Sequence, residues 1–213
     1  SGVFDTEGQL IVGTNIPVFG DLIRPLFERF SPKEMFEGDI FWYNDCYGSH
    51  GGVSHTPDQV FVTPVFINNS IVGFIQSWAH FSDVGGMRPG SLSPDATNIH
   101  QEGTIVPPVK LYARGVYNED AFRIFQRNSR YPQMVLGDTR ACVAAVRLGQ
   151  QRLLEICKQH GKDTVLKTFA HFIAETERFI RNKLRALFPR GKYAFTDLVD
   201  TDGHGNGPFA VSL

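Results

Sequence analysis

The stretch from Gln59 to Ala79 constrains this chain more than any other. Gln59–Ile67 and Ser70–Ala79 are rich in β-branched and aromatic residues, and Asn68-Asn69 lies between them. Asparagine tolerates positive φ, so the pair predicts a two-residue type I′ turn joining a long antiparallel hairpin. Both strands are apolar on both faces. Such a hairpin must be covered on both sides, which places it at the centre of a sheet and away from its edges.

The flanking sequence agrees with a strand-rich first half. Phe4–Val12 reads as strand, Asx/Gly turn and strand. Asp21–Phe30 reads as a short helix with Asp21 as cap and Pro25 in its first turns. Gly38–Tyr43 is a short aromatic strand. Residues 44–57 and 81–108 carry most of the remaining glycines and prolines of this half and read as loops. The second half is helical. Asn118 caps a helix through Arg127, Asp138 caps a long helix ending at Gly161, and Asp163 opens another whose stripe runs from Val165 to Leu187. Tyr193–Val199 reads as a returning strand, and Asp200–Gly207 as an open turn. Strands first and helices later predict an α+β fold. The expected division is a strand and loop half over 1–110, a helical half over 111–190, and the start of a further strand region over 191–213.

Charge adds a clue about chemistry. The net formal charge is -1, which gives no reason to expect nucleic acid, and no apolar run approaches the roughly 18 residues of a membrane span. The halves differ, however. Residues 1–105 contain 4 Lys/Arg against 12 Asp/Glu, and residues 106–213 contain 17 against 10. His50, His55, His80 and His100 all lie in the acidic half. Histidines among carboxylates suit a divalent cation. Cys46, Cys142 and Cys157 are odd in number and lack C-x-x-C pairing, as in a reduced cytoplasmic protein.

Hairpin register brings candidate ligands together. With a regular ladder about Asn68-Asn69, opposed residue numbers sum to 137, so His80 faces Pro57 and Asp83 faces Ser54. His55 then shares a face with His80, and a bulge at Pro57 would bring Asp58 to them. Two imidazoles and a carboxylate can hold zinc, manganese or ferrous iron and leave positions open. Asp45, Asp83 and His100 are candidates for a further ligand or for outer partners. On spacing alone, two loop histidines with ordinary hydrogen bonds remain the alternative. Cys46 with His50 or His55 could form a thiol nucleophile and base. The glycine-rich loops at 48–52 and 83–91 could cradle an anion, although neither fits a P-loop or dinucleotide fingerprint. Arg123, Arg127, Arg130 and Arg140 could meet a phosphate or partner carboxylate, or simply form an exposed helix face and the loop after it.

Taken in order, several segments resemble one family. They are Phe4-Asp5-Thr6-Glu7-Gly8-Gln9-Leu10, Gly38-Asp39 with Asn44-Asp45, and Gly51-Gly52-Val53-Ser54-His55-Thr56-Pro57-Asp58. Further on come Ala79-His80-Phe81-Ser82-Asp83-Val84-Gly85-Gly86, Glu102-Gly103 with Pro107-Pro108, and Asn128-Ser129-Arg130-Tyr131-Pro132 with Gly137-Asp138. The set resembles the hydantoinase B/oxoprolinase family, which includes N-methylhydantoinase B subunits, the C-terminal part of 5-oxoprolinase, and acetone and acetophenone carboxylase subunits. Cys46 departs from the proline usual in that pattern, and the Asp45–His55 interval is longer. The resemblance implies an N-terminal portion of a longer protein. It implies a metal site on His55, Asp58 and His80. Beside it, Asp45 stays the candidate for a further ligand, and Asp83 or His100 could move a proton as general base. The resemblance also implies a hydantoinase A-like partner subunit that binds ATP, and a small cyclic amide or ketone as substrate. A docking module without chemistry of its own is the other reading.

Overall fold

The hairpin forms at the predicted place and organises the chain around it. In the computed structural model, which describes residues 1–13, 21–203 and 205–213, strands β4 (Asp58–Ile67) and β5 (Ser70–His80) pair antiparallel across a turn in which Asn68 and Asn69 have φ of 50° and 61°. The first eight residues of β4 are all buried. Five other strands extend the sheet. They are β1 (Gly2–Phe4), β2 (Leu10–Gly13), β3 (Ile40–Tyr43), β6 (Val109–Ala113) and β7 (Val116–Tyr117), in the order β2-β1-β5-β4-β3-β6-β7. All pairings are antiparallel. The α+β class is as expected.

The register is not regular. Ile67 opposes Ser70 and Phe66 opposes Ile71, as the turn dictates, but Val65 opposes Gly73. Val72 is therefore an extra residue, a β-bulge that resets the parity of everything beyond it. Next to it, a Cβ on Gly73 would lie 2.6 Å from the Phe4 carbonyl oxygen of the neighbouring strand, so only glycine fits there. The expected bulge at Pro57 is thus replaced by one on the opposite strand near the turn.

Each face of the sheet has its own apolar layer. One combines Trp42, Phe61, Ile75, Phe81, Phe122, Phe125, Val143 and Val146. Here the sheet meets helices α2 (Glu119–Asn128) and α3 (Pro132–His160). The other combines Phe4, Leu22, Ile23, Leu26, Phe41, Tyr43, Val60, Val62 and Phe74, with α1 (Arg24–Arg29) supplying Leu26. Burial of each large side chain in such layers contributes roughly 1.5–3 kcal/mol.

Local signals explain most boundaries. Asp21 Oδ1 accepts the Ile23 and Arg24 N–H groups, and Asn118 Oδ1 accepts Ala121 N–H at the start of α2. Helix α3 begins at Pro132, six residues before the expected Asp138. Proline at the first turn is pre-organised for a helix. Val135, Thr139, Cys142, Val143 and Val146 then place one buried face of α3 on the sheet, which carries the helix straight through Gly137. Gly161 ends it at φ 84°, as expected.

The chain divides into two compact units, Ser1–Phe169 and Ala170–Leu213. The first takes in the start of α4 (Lys162–Leu187), where Val165 is buried and Leu166 and Phe169 pack on the core. In the second, Phe172, Phe179, Ile180, Leu184 and Leu187 of the same helix are exposed. It also contains β8 (Thr196–Val199) and β9 (Phe209–Ser212), paired antiparallel. The expected open turn at 200–207 is therefore the closed end of a hairpin, with Asp202 N–H donating to the Asn206 carbonyl; His204 within it lies outside the described residues. Among the described residues, no helix is long and apolar enough to cross a membrane.

Candidate metal centre

The bulge at Val72 determines what meets at the far end of the hairpin. It sets His80 directly opposite Asp58. His55 reaches the same carboxylate from the loop before β4, three residues upstream. His55 Nδ1 lies 3.0 Å from Asp58 Oδ2, and His80 Nδ1 lies 3.2 Å from Asp58 Oδ1. The rings stand edge to face, with centroids 4.9 Å apart. One donor atom from each of the three residues lies within 4.8 Å of the other two.

Burial is graded across the trio. The Asp58 side chain is 4% exposed, whereas those of His55 and His80 are 32% and 39% exposed. The carboxylate thus forms the floor and the imidazoles form an accessible rim. Burial pushes the Asp58 carboxyl above its usual pKa, and the neighbouring imidazoles pull it partly back. His55 Nδ1 is itself buried and lacks a hydrogen bond of acceptable geometry, despite its 3.0 Å approach to Asp58. A buried nitrogen aimed beside a carboxylate oxygen without a shared proton is an expensive arrangement for an empty protein interior. It fits an ion. Two ligand atoms each about 2.1 Å from one metal stand about 3.0–3.4 Å apart. The two-nitrogen, one-oxygen donor set is compatible with zinc, manganese or ferrous iron.

The frame around the trio is polar and its backbone carbonyls are hydrogen-bonded, while the buried Thr56 Oγ1 has no partner among the described residues. The Asn44 amide donates to the Thr56 carbonyl at 2.7 Å and to the Thr104 carbonyl at 2.9 Å, and its oxygen accepts Val106 N–H. Gln59 donates to the same Thr56 carbonyl and accepts the Trp42 indole N–H at 2.8 Å. The turn leading from His55 to Asp58 is thereby tied to β3 and to the 104–106 segment. Neither Asn44 nor Gln59 stood out in the sequence as a scaffold residue. For Asn44 the available signals were its place directly after four aromatic and aliphatic strand residues and its part in the Asn44-Asp45 pair of the resemblance.

The other candidates fall elsewhere. Asp45 is outside the donor cluster. Its Oδ1 accepts Tyr47 N–H at 3.1 Å and Gly48 N–H at 2.9 Å, closing its own loop. His100 is exposed on a single 3-10 turn, Ile99–Gln101, and is also outside the cluster. His50 pairs with Glu28 at 2.7 Å. Asp83 is fully buried and fully engaged. It accepts Gly85 N–H and Arg130 N–H on Oδ1, and Gly90 N–H and the Arg130 guanidinium on Oδ2, all at 2.8–3.1 Å. Burial alone would raise its pKa, but the Arg130 and glycine donors outweigh that and hold it below the usual carboxylate value. With both oxygens committed, no position remains for the proton transfer expected of it. The same contacts dispose of an anion cradle at 83–91, because the loop N–H groups close on Asp83 itself.

Cys46 and Ser54, the latter next to His55, line a cleft of about 490 Å³ together with Tyr47, Thr97, Asn98 and Glu102. Burial, followed by the charges of Glu102, Asp45 and Asp58, pushes the Cys46 thiol up to about 11. At neutral pH it is protonated and a poor nucleophile, which argues against cysteine hydrolysis. A larger groove of about 800 Å³ runs along α2 between Asp120 and Gln133 and contains none of the three donors.

Known proteins share this arrangement of strands and helices. The chain is 32% identical to caprolactamase subunit beta of Pseudomonas jessenii over 216 residues, covering 100% of this chain and 36% of that one. It is 28% identical to the acetophenone carboxylase delta subunit of Aromatoleum aromaticum, covering 96% and 30%. The crystal structure of the ATP-dependent P. jessenii caprolactamase superposes with a TM-score of 0.88, over 97% of this chain and 36% of that chain. A nucleotide-free acetone carboxylase, 20% identical, matches in fold with a TM-score of 0.76, over 94% and 27%. The chain thus spans about a third of the length of the relatives it matches. The family model for hydantoinase B/oxoprolinase matches residues 1–213, and the chain belongs to that family.

Proposed function

We propose that this chain is the metal-holding part of a subunit in an ATP-dependent complex acting on a small cyclic amide or ketone, with His55, Asp58 and His80 as the ligands. The observation that carries this reading is the convergence of the two Nδ1 atoms on one buried carboxylate, with the buried His55 nitrogen lacking a hydrogen bond. When bound, a divalent ion there would polarise a carbonyl oxygen, the group that lactams and ketones have in common. Asp58 supplies the negative charge that holds the ion, and the half-exposed imidazoles leave one side open to substrate. The cleft beside Ser54 and Cys46 is the place for the substrate body. Asp83 keeps a structural role, and Asp45 and His100 stay outside the ligand set.

ATP belongs to a hydantoinase A-like partner in this reading, since no P-loop or similar nucleotide motif occurs in the chain. The names of the relatives span both an amide-opening and a carboxylating complex, so the shared step is activation of a carbonyl group. A cytoplasmic location belongs to this reading, in keeping with three free cysteines.

Elemental analysis of the purified full-length protein, beside His55→Ala and His80→Ala, tests the proposal. About one zinc, manganese or iron per chain, lost from both variants, is the expected result. Failure of the wild-type protein to take up any of these ions on loading would overturn it and favour a docking module.

A further inference from the structure

We propose that Arg130 is a positioning residue for the metal centre, holding His80 and one wall of the cleft in place from the distant junction of α2 and α3. The proposal rests on the ligand assignment above. His80 is the last residue of β5, and Phe81 N–H donates to the Pro57 carbonyl at 2.9 Å, one step beyond the ligands. Only Phe81 and Ser82 separate His80 from Asp83. Arg130 grips this loop at several points. Its Nη1 donates to Asp83 Oδ2 at 2.8 Å and to the Gly85 and Arg88 carbonyls at 3.3 Å, and its Nη2 donates to the Gly86 carbonyl at 2.6 Å. Ser129 Oγ adds a bond to the Asp83 carbonyl at 2.8 Å.

The gripped loop in turn carries the cleft wall. Met87 N–H donates to the Gln101 carbonyl, and Thr104 N–H donates to the Val84 carbonyl, both at 2.8 Å. A Cβ on Gly86 would lie 2.5 Å from the Gln101 carbonyl oxygen, so the two segments touch backbone to backbone. Glu102, in that second segment, lines the cleft. One guanidinium therefore fixes both the chain leaving His80 and the chain opposite Cys46. A planar fork with five donors can satisfy a carboxylate and three carbonyls at once, and an ammonium cannot.

The test compares Arg130→Lys and Arg130→Ala with wild type in the full-length protein. Co(II) is titrated into the metal-free forms, its dissociation constant is set by chelator competition, and its visible absorption reports ligand geometry. Losses of outer partners typically weaken metal binding about 10–100-fold. The lysine variant is expected to fold and to bind Co(II) about 10-fold more weakly with an altered spectrum, and the alanine variant to bind more weakly still. A lowered thermal midpoint with unchanged Co(II) affinity and spectrum would overturn the proposal. So would loss of folding in both variants, which would make the grip a property of the whole fold. Wild-type protein that binds no Co(II) would instead overturn the ligand assignment, and the positioning role with it.

Discussion

Asp58 and Asp83 are both buried at the same end of the hairpin, on either side of His80, yet their surroundings are opposite. Asp83 accepts four N–H groups and is locked. Among the described residues, the Asp58 oxygens meet only two imidazole nitrogens, both on partly exposed rings. Burial dominates the Asp58 carboxyl and raises its pKa, whereas the donors around Asp83 overcome burial and lower it. The contrast teaches how to tell a structural carboxylate from a site carboxylate. The first has its lone pairs filled by the fold. The second is met by side chains partly open to solvent, with His80 Nδ1 in hydrogen-bond contact with its Oδ1 at 3.2 Å.

The largest effect should come from breaking the open side of this comparison. His80→Ala or Asp58→Asn should reduce metal content from about one ion per chain to background, a loss beyond the roughly 100-fold reached by outer-partner changes. Far-ultraviolet circular dichroism should stay unchanged, because the helices do not depend on these side chains. Retention of the ion in either variant would move the centre elsewhere.

Breaking the locked side should cost stability. Asp83→Ala leaves Arg130 without its charge partner and frees four N–H groups. The expected loss is about 2–4 kcal/mol in urea unfolding, somewhat under the figure for a fully buried pair because Arg130 is partly exposed. A loss below about 0.5 kcal/mol would place Asp83 with the ordinary surface pairs.

Acid titration sharpens the contrast through its sign. The folded pKa of Asp83 lies below the unfolded value of about 4, so its contribution is complete above pH 4 and fades as pH falls through the folded value. Asp83→Asn should flatten that acid limb. Asp58 works the other way in metal-free protein. Its folded pKa is raised, so protonation favours the fold, and stability is gained as pH falls through the folded value towards about 4. Metal-free Asp58→Asn should therefore be at least as stable as wild type near pH 7, while unable to hold the ion. A clear destabilisation at that pH would show that Asp58 is structural after all.

The smallest effect concerns Cys46. With its thiol pushed up to about 11, alkylation by iodoacetamide should be slow at pH 7.5 and accelerate about tenfold per pH unit over the next units. Cys46→Ala should leave metal content intact. Rapid alkylation at neutral pH would revive a thiol nucleophile beside the cleft.

Much of this was legible in residue patterns. Asn68-Asn69 between two apolar runs fixed a central hairpin, because few other residues accept positive φ at both turn positions. Asn118 and Gly161 marked helix ends, and the trio His55, Asp58 and His80 was within reach of simple pairing arithmetic. Asp138 misled, since an acidic residue after a glycine looks like a cap while the buried face of α3 runs straight through both. The stripe of α4 marked a helix that does run to Leu187, although its apolar residues beyond Phe169 are exposed.

The sequence by itself determined the α+β order of elements and the turn, because these depend on neighbours a few residues apart. Tertiary structure decided the bulge at Val72, beside the point where Gly73 lets the Phe4 carbonyl of another strand approach closely. That single extra residue set His80 opposite Asp58 instead of Pro57. Tertiary structure also decided which aspartate stayed open. Arg130 is 47 positions from Asp83, and no local pattern announces a partner that far along the chain. Hydrogen-bond satisfaction is settled only when distant segments meet, and here it separates a candidate site from a support.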